Sequence, residues 1–157
     1  MDETTLEAPP KPMLDKIRIR AMQPSDFNYV INSWLKTFKY TGPSVQRIRD
    51  YEYYQSYEPI VKSLIKRSDV FIACLREEPE IIIGYLAIER QQDLDLIHFV
   101  QVKNLWQNIG IGRYLLQAAH PQLITYFTHW TNPVDSLVNK FNFTYNPYLI
   151  FKEPNHG

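Results

Sequence analysis

Cysteine, net charge and long apolar runs are all scarce in this 157-residue sequence. A single cysteine, Cys74, excludes an intramolecular disulfide and fits a reducing compartment. Lys and Arg together number 17, as do Asp and Glu, and zero net charge argues against bulk electrostatic capture of nucleic acid or membrane. No apolar run is long enough to span a bilayer, and the amino terminus lacks a signal-peptide core. These absences predict a soluble, cytoplasmic protein.

The composition that remains is that of one globular domain. Hydrophobic residues make up 45% of the chain and aromatic residues 14%, enough to build a real core. We predict a flexible arm over 1–14, which contains three prolines, a domain over 15–152 and a short tail over 153–157. With one cysteine and no ligand spacing around the histidines, we predict no metal site.

Apolar periodicity predicts an α/β fold with a central twisted mixed β-sheet flanked by helices. Alternation over 17–21 predicts a half-exposed strand, and apolar residues at three- and four-residue steps from Phe27 to Phe38 predict an amphipathic helix. A second helical region, predicted to be interrupted, runs through an aromatic stretch to Lys66. Two apolar runs around the charged turn REEPE predict a hairpin. The run LDLIHFVQV is apolar on both faces and predicts a central strand.

The remaining elements alternate between helix and strand. A short helix ending near His120 is followed by the predicted strand LITYFTHW. The stretch NPVDSLVNKF predicts a helix capped by Asn132, and TYNPYLIF predicts a last strand. The predicted order is therefore β, α, α, β, β, β, α, β, α, β.

Two of the five glycines, Gly110 and Gly112, stand between the central strand and the helix that follows. A strand that leads through a glycine turn into a helix start is an anion site, because the first helical amides lack internal partners. Arg113 adds a cation. The turn has no third glycine for a dinucleotide fingerprint and no Gly-Lys-Ser/Thr for a P-loop.

The segment VQVKNLWQNIGIGRYLL resembles the central motif of the GNAT superfamily of acyl-CoA N-acyltransferases. Val102 stands five residues before Gln107, Trp106 directly precedes the glutamine, and Asn104 replaces a frequent proline. The element order also matches that family along nearly all of residues 16–151. The resemblance implies a GNAT fold and acetyl-CoA as the acyl donor.

The same resemblance implies which residues hold acetyl-CoA. Gln107 and Asn108 would shape the start of the turn, and the strand around Val100 and Val102 would pair with the pantetheine arm. The diphosphate would lie on five backbone amides, those of Ile109, Gly110, Ile111, Gly112 and Arg113. The alternative is a structural helix N-terminus whose glycines are incidental.

Catalytic candidates follow from the family's use of a base on the fourth strand. His98 is the main candidate, expected on the same strand face as Leu96 and Val100, and its ordinary pKa near 6.5 suits a base. The alternative is a buried core histidine hydrogen-bonded to the backbone. Glu89 and Asp95 are lesser candidates, since charged residues at strand ends are usually solvated.

The sequence departs from the family pattern in the late helix. The tyrosine that commonly protonates the departing thiolate falls on Val138 or Asn139, and the usual glycine is Asn142. Tyr114 and Tyr145 are candidate substitutes. The missing tyrosine supports an alternative to catalysis, a degenerate GNAT domain that binds coenzyme A or a protein or nucleic-acid partner without efficient turnover.

We therefore expect an N-acetyltransferase that transfers acetyl from acetyl-CoA to an amine by direct attack in a ternary complex. The acceptor stays unidentified. A tyrosine-rich stretch either shapes its pocket or simply covers the sheet, and comprises Tyr40, Tyr51, Tyr53, Tyr54 and Tyr57. A nucleic-acid or nucleobase modifier on the same fold, and a homodimer, are left open.

Overall fold

The computed structural model describes residues 12–131 and 141–151. Its centre is a six-stranded sheet whose strands lie in sequence order. The strands are β1 Ile17–Ala21, β2 Asp69–Leu75, β3 Ile82–Arg90, β4 Asp95–Val102, β5 Thr125–Phe127 and β6 Thr144–Tyr145. The helices are α1 Pro12–Asp15, α2 Phe27–Thr41, α3 Asp50–Lys66 and α4 Ile111–Ala119. Strands β1 to β4 pair antiparallel and β4 to β6 parallel, so the predicted mixed sheet is confirmed.

Helices cover both faces of the sheet. The predicted amphipathic helix is α2, and its buried apolar residues recur at the expected spacing: Val30, Ile31, Trp34, Leu35 and Phe38. This side of α2 packs with α3 and with Tyr85 and Phe99 of the sheet. On the other face, Leu115 and Leu116 of α4 pack against Ile97. Two apolar layers therefore enclose the sheet.

Helix α3 runs without a break from Asp50 to Lys66, so the predicted interruption is wrong. Pro59 lies inside α3 and is exposed. A proline removes one hydrogen bond from a helix, and on the exposed side water can bind the freed carbonyl. Buried side chains before and after the proline, Tyr53 and Val61 among them, hold both halves of α3 to the core.

The carboxyl-terminal strand is shorter than predicted. β6 covers only Thr144 and Tyr145, and a 3-10 helix, Pro147–Phe151, replaces the rest. The Asn146 side-chain oxygen accepts a hydrogen bond from the Tyr148 N–H at 3.1 Å, which turns the chain away from the sheet. The helix predicted from Asn132 lies mostly outside the described residues, as do the tail and residues 1–11 of the predicted arm.

Strand β4 carries a β-bulge at its centre. Ala87 of β3 pairs with Phe99, whereas the next residue of β3 pairs with Ile97, so His98 is the extra residue. The bulge shifts the alternation of side chains, and Val100 packs with the α4 layer while His98 bonds to residues of the opposite face. The expectation that His98 and Val100 share a face is therefore wrong.

Strands β4 and β5 separate after a short contact. Their parallel pairing covers only Asp95 to Ile97 on β4, and the Thr128 N–H then donates to the Ile97 carbonyl at 3.2 Å. β4 itself continues to Val102. The pairing ends next to His98 because β5 ends at Phe127, and the glycine turn follows at the far end of β4.

Candidate functional site

The turn after β4 is tied to the end of that strand by one side chain. A 3-10 segment, Asn104–Trp106, follows β4. The Gln107 side-chain amide donates to the Val102 carbonyl at 2.9 Å and to Asn104 Oδ1 at 3.2 Å. Gln107 therefore sets the direction in which the chain leaves the sheet, consistent with its expected part in shaping the turn.

The glycine turn presents the N-terminus of α4 to solvent. Asn108 and Gly110 have positive φ angles of 67° and 99°, a region that glycine adopts freely and asparagine tolerates. The Tyr114 N–H donates to the Gly110 carbonyl at 2.9 Å and closes the first turn. The amides that precede Tyr114 in the helix, including those of Ile111 and Gly112, have no helical carbonyl four residues earlier to which they could donate. They form the kind of helix N-terminus at which anions bind.

Open space lies in front of Gly112. A Cβ atom built there has no heavy atom within 4 Å, and one built on Gly110 meets only Leu14 Cδ1 at 3.8 Å. Packing within the described part of the chain thus gives no reason for glycine at position 112. Close approach of a ligand to the backbone would give one.

A pocket of about 300 Å³ adjoins the glycine turn. Its lining consists of Leu14, Asp15, Arg76, Gly110, Arg113, Tyr114 and Gln117. Arg76 is fixed by hydrogen bonds from its guanidinium to the carbonyls of Asp15 and Ile17, both at 3.0 Å. Two arginines, Arg76 and Arg113, therefore line a pocket that includes Gly110 at the positive end of the α4 dipole, and against the one carboxylate of the lining, Asp15, they leave an excess of positive charge that favours a bound anion.

The two predicted catalytic candidates, His98 and Glu89, lie together at the point where β4 and β5 separate. His98 is fully buried, with Nε2 at 2.8 Å from Glu89 Oε1 and Nδ1 at 2.7 Å from Thr128 Oγ1. Glu89 is 1% exposed and also accepts a hydrogen bond from Arg67 at 3.1 Å. The expectation of a solvated strand-end carboxylate is wrong for Glu89. It is also wrong for Asp95, which is buried against Arg90 at 2.9 Å.

Further side chains extend this pair into a hydrogen-bonded chain, which we call the polar chain: Tyr57, His129, Thr128, His98, Glu89 and Arg67. Thr128 Oγ1 lies 2.9 Å from His129 Nδ1, and His129 Nε2 lies 2.5 Å from the Tyr57 hydroxyl. From Tyr57 of α3 the chain passes through Thr128 and His129, which follow β5, to His98 of β4 and Glu89 of β3, and it ends at Arg67, directly after α3. Tyr57 and Arg67, its two ends, are partly exposed, whereas Thr128 and His129 are buried.

Burial and hydrogen bonding set the protonation states of the two histidines, the glutamate and the tyrosine of the polar chain. Burial lowers the pKa of His98 and lowers the pKa of His129 well below the ordinary value, so both imidazoles are neutral. Burial tends to raise the pKa of Glu89, but hydrogen bonds from His98 and Arg67 outweigh it and hold the carboxyl ionised. Burial raises the pKa of Tyr57, so its hydroxyl keeps its proton.

These states give the polar chain a single direction. The Tyr57 hydroxyl donates to His129 Nε2, and His129 Nδ1–H donates to Thr128 Oγ1. The Thr128 hydroxyl donates to His98 Nδ1, and His98 Nε2–H donates to the Glu89 carboxylate. His129, Thr128 and His98 therefore each donate one hydrogen bond and accept one, and the series of donors that starts at Tyr57 leads to the Glu89 carboxylate, which also accepts from Arg67.

The fold is identified by comparison with solved structures, because the comparisons of sequence find no match. No protein-family model and no curated protein matches this chain. PH1933 from Pyrococcus horikoshii OT3 matches with a TM-score of 0.56 at 18% identity, over 80% of this chain and 87% of that one. A Pyrococcus furiosus protein assigned as an acetyl transferase matches with a TM-score of 0.55 at 17% identity, over 83% and 81% of the two chains. The chain has the GNAT acetyltransferase fold.

Other matches to the GNAT fold cover less of the chain. PaiA N-acetyltransferase from Thermoplasma acidophilum, solved in complex with coenzyme A, gives a TM-score of 0.49 at 19% identity, over 66% of this chain and 69% of that one. The chain spans only 12% of a fungal multi-domain GH3 beta-N-acetylglucosaminidase that carries a GCN5-related glucosamine N-acetyltransferase region, with a TM-score of 0.48 at 17% identity over 66% of this chain.

The late region of the GNAT fold explains one departure from the family motif. Asn142 stands where the family commonly has glycine, and its φ is 59°. Asparagine is among the residues that tolerate this conformation, so it can replace glycine there. The two positions predicted for the missing tyrosine, Val138 and Asn139, lie outside the described residues.

The tyrosines expected near the acceptor pocket of the GNAT fold have different surroundings. Tyr53 is buried and its hydroxyl donates to the Leu35 carbonyl at 2.7 Å, which makes it a core residue. Tyr57 belongs to the polar chain, whereas Tyr40 and Tyr51 are exposed. Only some of the tyrosines thus cover the sheet.

Sequence reasoning missed Thr128, His129 and Arg67. A signal was present for the first two, because polar side chains follow one another at the end of the otherwise apolar run LITYF. Across residues 12–131 and 141–151 no cluster of His, Cys, Asp or Glu is placed to hold a metal ion. In the same ranges no helix combines the length and the apolar character needed to cross a bilayer.

Proposed function

We propose that this protein is an acetyl-CoA-dependent N-acetyltransferase that acetylates a primary amine by direct attack in a ternary complex. The observation that carries the proposal is the glycine turn at the end of β4. Its outward-facing amides, the open space at Gly112 and the two nearby guanidinium groups suit a diphosphate. The GNAT fold supports the same choice, since matched structures include one with coenzyme A bound.

Each part of the site has a role in this proposal. Residues 107–113 hold the coenzyme diphosphate, and Val100 to Val102 line the divergence of β4 and β5 along which the pantetheine arm runs. Acetyl-CoA supplies the acetyl group as a thioester. Holding it there beside the amine contributes to rate through proximity. Glu89, through His98, takes up the proton that the amine must lose before it attacks.

A second candidate function is coenzyme binding without efficient turnover. The observation favouring it is that both ring nitrogens of His98 are already bonded to protein atoms. A histidine in this state cannot take a proton from an amine by direct contact. Catalysis therefore requires that a proton reach His98 through its neighbours.

Two measurements test the proposal in order. Calorimetric titration with acetyl-CoA, with desulfo-CoA as control, is expected to show micromolar binding, about −8 kcal/mol. Thiol release is then followed with a panel of primary amines, and Glu89→Gln is expected to slow it by about 10²-fold or more. The variant should bind acetyl-CoA as the unaltered protein does, because Glu89 lies away from the glycine turn.

Each result separates the candidates. No binding of acetyl-CoA would refute the assignment of the glycine turn. Binding without thiol release on any amine would favour the second candidate. Thiol release that Glu89→Gln leaves unchanged would remove Glu89 and His98 from the mechanism while keeping the acetyltransferase.

A further inference from the structure

We propose that the polar chain is a proton relay, through which the buried Glu89 carboxylate deprotonates an amine bound next to Tyr57. This inference rests on the proposed acetyltransferase function and deepens it. Glu89 and His98 are sealed from solvent. Among the described residues their hydrogen bonds lead to three partly exposed side chains, those of Arg67, Gln91 and, through Thr128 and His129, Tyr57. Arg67 and the Gln91 amide only donate to the carboxylate, whereas the Tyr57 hydroxyl can both accept and donate a proton. Tyr57 is thus the member that touches substrate.

The relay step is balanced without any co-reactant. A protonated amine gives its proton to Tyr57 Oη, and the Tyr57 hydroxyl proton moves to His129 Nε2. The His129 Nδ1 proton moves to Thr128 Oγ1, and the Thr128 hydroxyl proton moves to His98 Nδ1. The His98 Nε2 proton finally bonds to Glu89 Oε1.

After this step the amine, both imidazoles, both hydroxyls and the carboxyl are all neutral. In every group between the amine and Glu89 one bond to hydrogen breaks and another forms, on the two different ring nitrogens in each histidine, so no imidazolium or phenolate persists inside the protein. Charged intermediates of that kind would be costly in a buried site. Movement in the opposite direction returns the proton to Tyr57 Oη for release to water and regenerates the carboxylate.

The geometry favours a relay over a set of unrelated core contacts. All four bonds from Tyr57 to Glu89 are between 2.5 and 2.9 Å, within hydrogen-bond distance. The β4 bulge makes the path continuous, because it turns His98 toward both Glu89 and Thr128. Arg67, at 3.1 Å from Glu89, stabilises the carboxylate before the proton arrives.

The first test reads the direction of the chain without requiring turnover. The full-length protein is labelled with ¹⁵N-histidine, and the ring-nitrogen chemical shifts are measured near neutral pH. We expect opposite tautomers, Nε2–H on His98 and Nδ1–H on His129. The same tautomer on both rings, or an imidazolium on either, would overturn the relay.

The second test interrupts the relay in the middle. Thr128→Val removes the hydroxyl at nearly constant shape, and Thr125→Val is the matched control. Thr125, three residues before Thr128, is likewise a buried threonine, but it lies in β5 and its hydroxyl donates to the Gln122 carbonyl at 2.6 Å, outside the polar chain. The acceptor is the fastest amine found in a panel of polyamines, amino sugars, arylalkylamines and lysine peptides, with acetyl-CoA as the donor. With this pair we expect kcat to be about 10²-fold lower for Thr128→Val than for the unaltered protein. Acetyl-CoA affinity should be unchanged, and Thr125→Val should remain within about twofold.

Companion variants keep the test decisive if Thr128→Val folds poorly. Thr128→Ser retains the hydroxyl and should restore turnover, whereas Tyr57→Phe removes the outer end of the relay on a different element and should lower kcat to a similar extent. Full activity in folded Thr128→Val or Tyr57→Phe would refute the relay and leave the acetyltransferase standing. Absence of turnover in the unaltered protein with every amine would refute the proposed function, and the relay with it, whatever the tautomers.

Discussion

Replacing Gly112 by alanine is expected to stabilise the protein and weaken acetyl-CoA binding at the same time. Gly112 is the second residue of α4, and an added Cβ meets no heavy atom within 4 Å. Alanine is favoured over glycine in a helix by up to about 1 kcal/mol and restricts the unfolded chain. We expect the free energy of unfolding to rise by about 0.5–1 kcal/mol.

The expected loss of affinity has a separate cause. The alanine methyl group occupies space through which an anion would approach the amides of the glycine turn. Losing one hydrogen bond to a charged group costs about 1.5–3 kcal/mol. Acetyl-CoA binding should therefore weaken by about 10- to 100-fold, since each 1.4 kcal/mol is about a factor of ten.

Calorimetric titration with acetyl-CoA and urea unfolding, performed on the same preparations, measure both effects. Gly110→Ala is the matched control, because its φ of 99° strains any L-residue by about 1–2 kcal/mol. We expect that variant to lose stability as well as affinity, so the two glycines should differ in the sign of the stability change. Unaltered acetyl-CoA affinity in Gly112→Ala would show that the diphosphate does not lie on this turn.

Two further predictions concern stability. The free energy of unfolding should fall as the pH drops below about 6.5, because buried His98 and His129 have lowered pKa values and the unfolded chain then binds more protons. Each histidine contributes up to about 1.4 kcal/mol of this fall per pH unit until the pH passes its folded-state pKa. Urea titrations at several pH values measure the free energy of unfolding, and a free energy that does not change with pH in this range would contradict the prediction. Gly84→Ala should lower the urea midpoint by the equivalent of about 1–3 kcal/mol, since the new Cβ lies 2.5 Å from the Gln101 carbonyl oxygen; an unchanged midpoint would mean that β3 and β4 can separate locally.

Local patterns in the sequence were sufficient for helix α2 and for the glycine turn. The apolar spacing from Phe27 to Phe38 depends only on neighbours along one helix, and α2 confirms it. The turn at Gly110 likewise depends on a strand end and a helix start that adjoin in sequence. Pro59 misled the prediction of α3, because a proline signals a break, whereas packing on both sides of it keeps the helix continuous.

The polar chain could not be predicted, since its members meet only through the tertiary structure. Tyr57 and His129 are bonded across 72 positions of sequence, and His98 and Thr128 across 30. A regular alternation of β4 would turn His98 to the face of Val100, and only pairing with β3 reveals the bulge that prevents this. Bulges depend on two strands at once, and periodicity within one strand does not encode them.

The separation of β4 from β5 has a consequence for the ligand-free protein. In most sheets the unpaired backbone groups lie on the two outermost strands. Proteins usually protect these edges, because another chain could otherwise pair with them. Here, within the described residues, the pairing of β4 with β5 ends at Ile97 although β4 continues to Val102, which leaves such an edge in the interior of the sheet. An extended ligand lying along it would act as the missing strand. A coenzyme bound there would then add backbone hydrogen bonds to the sheet and raise the free energy of unfolding.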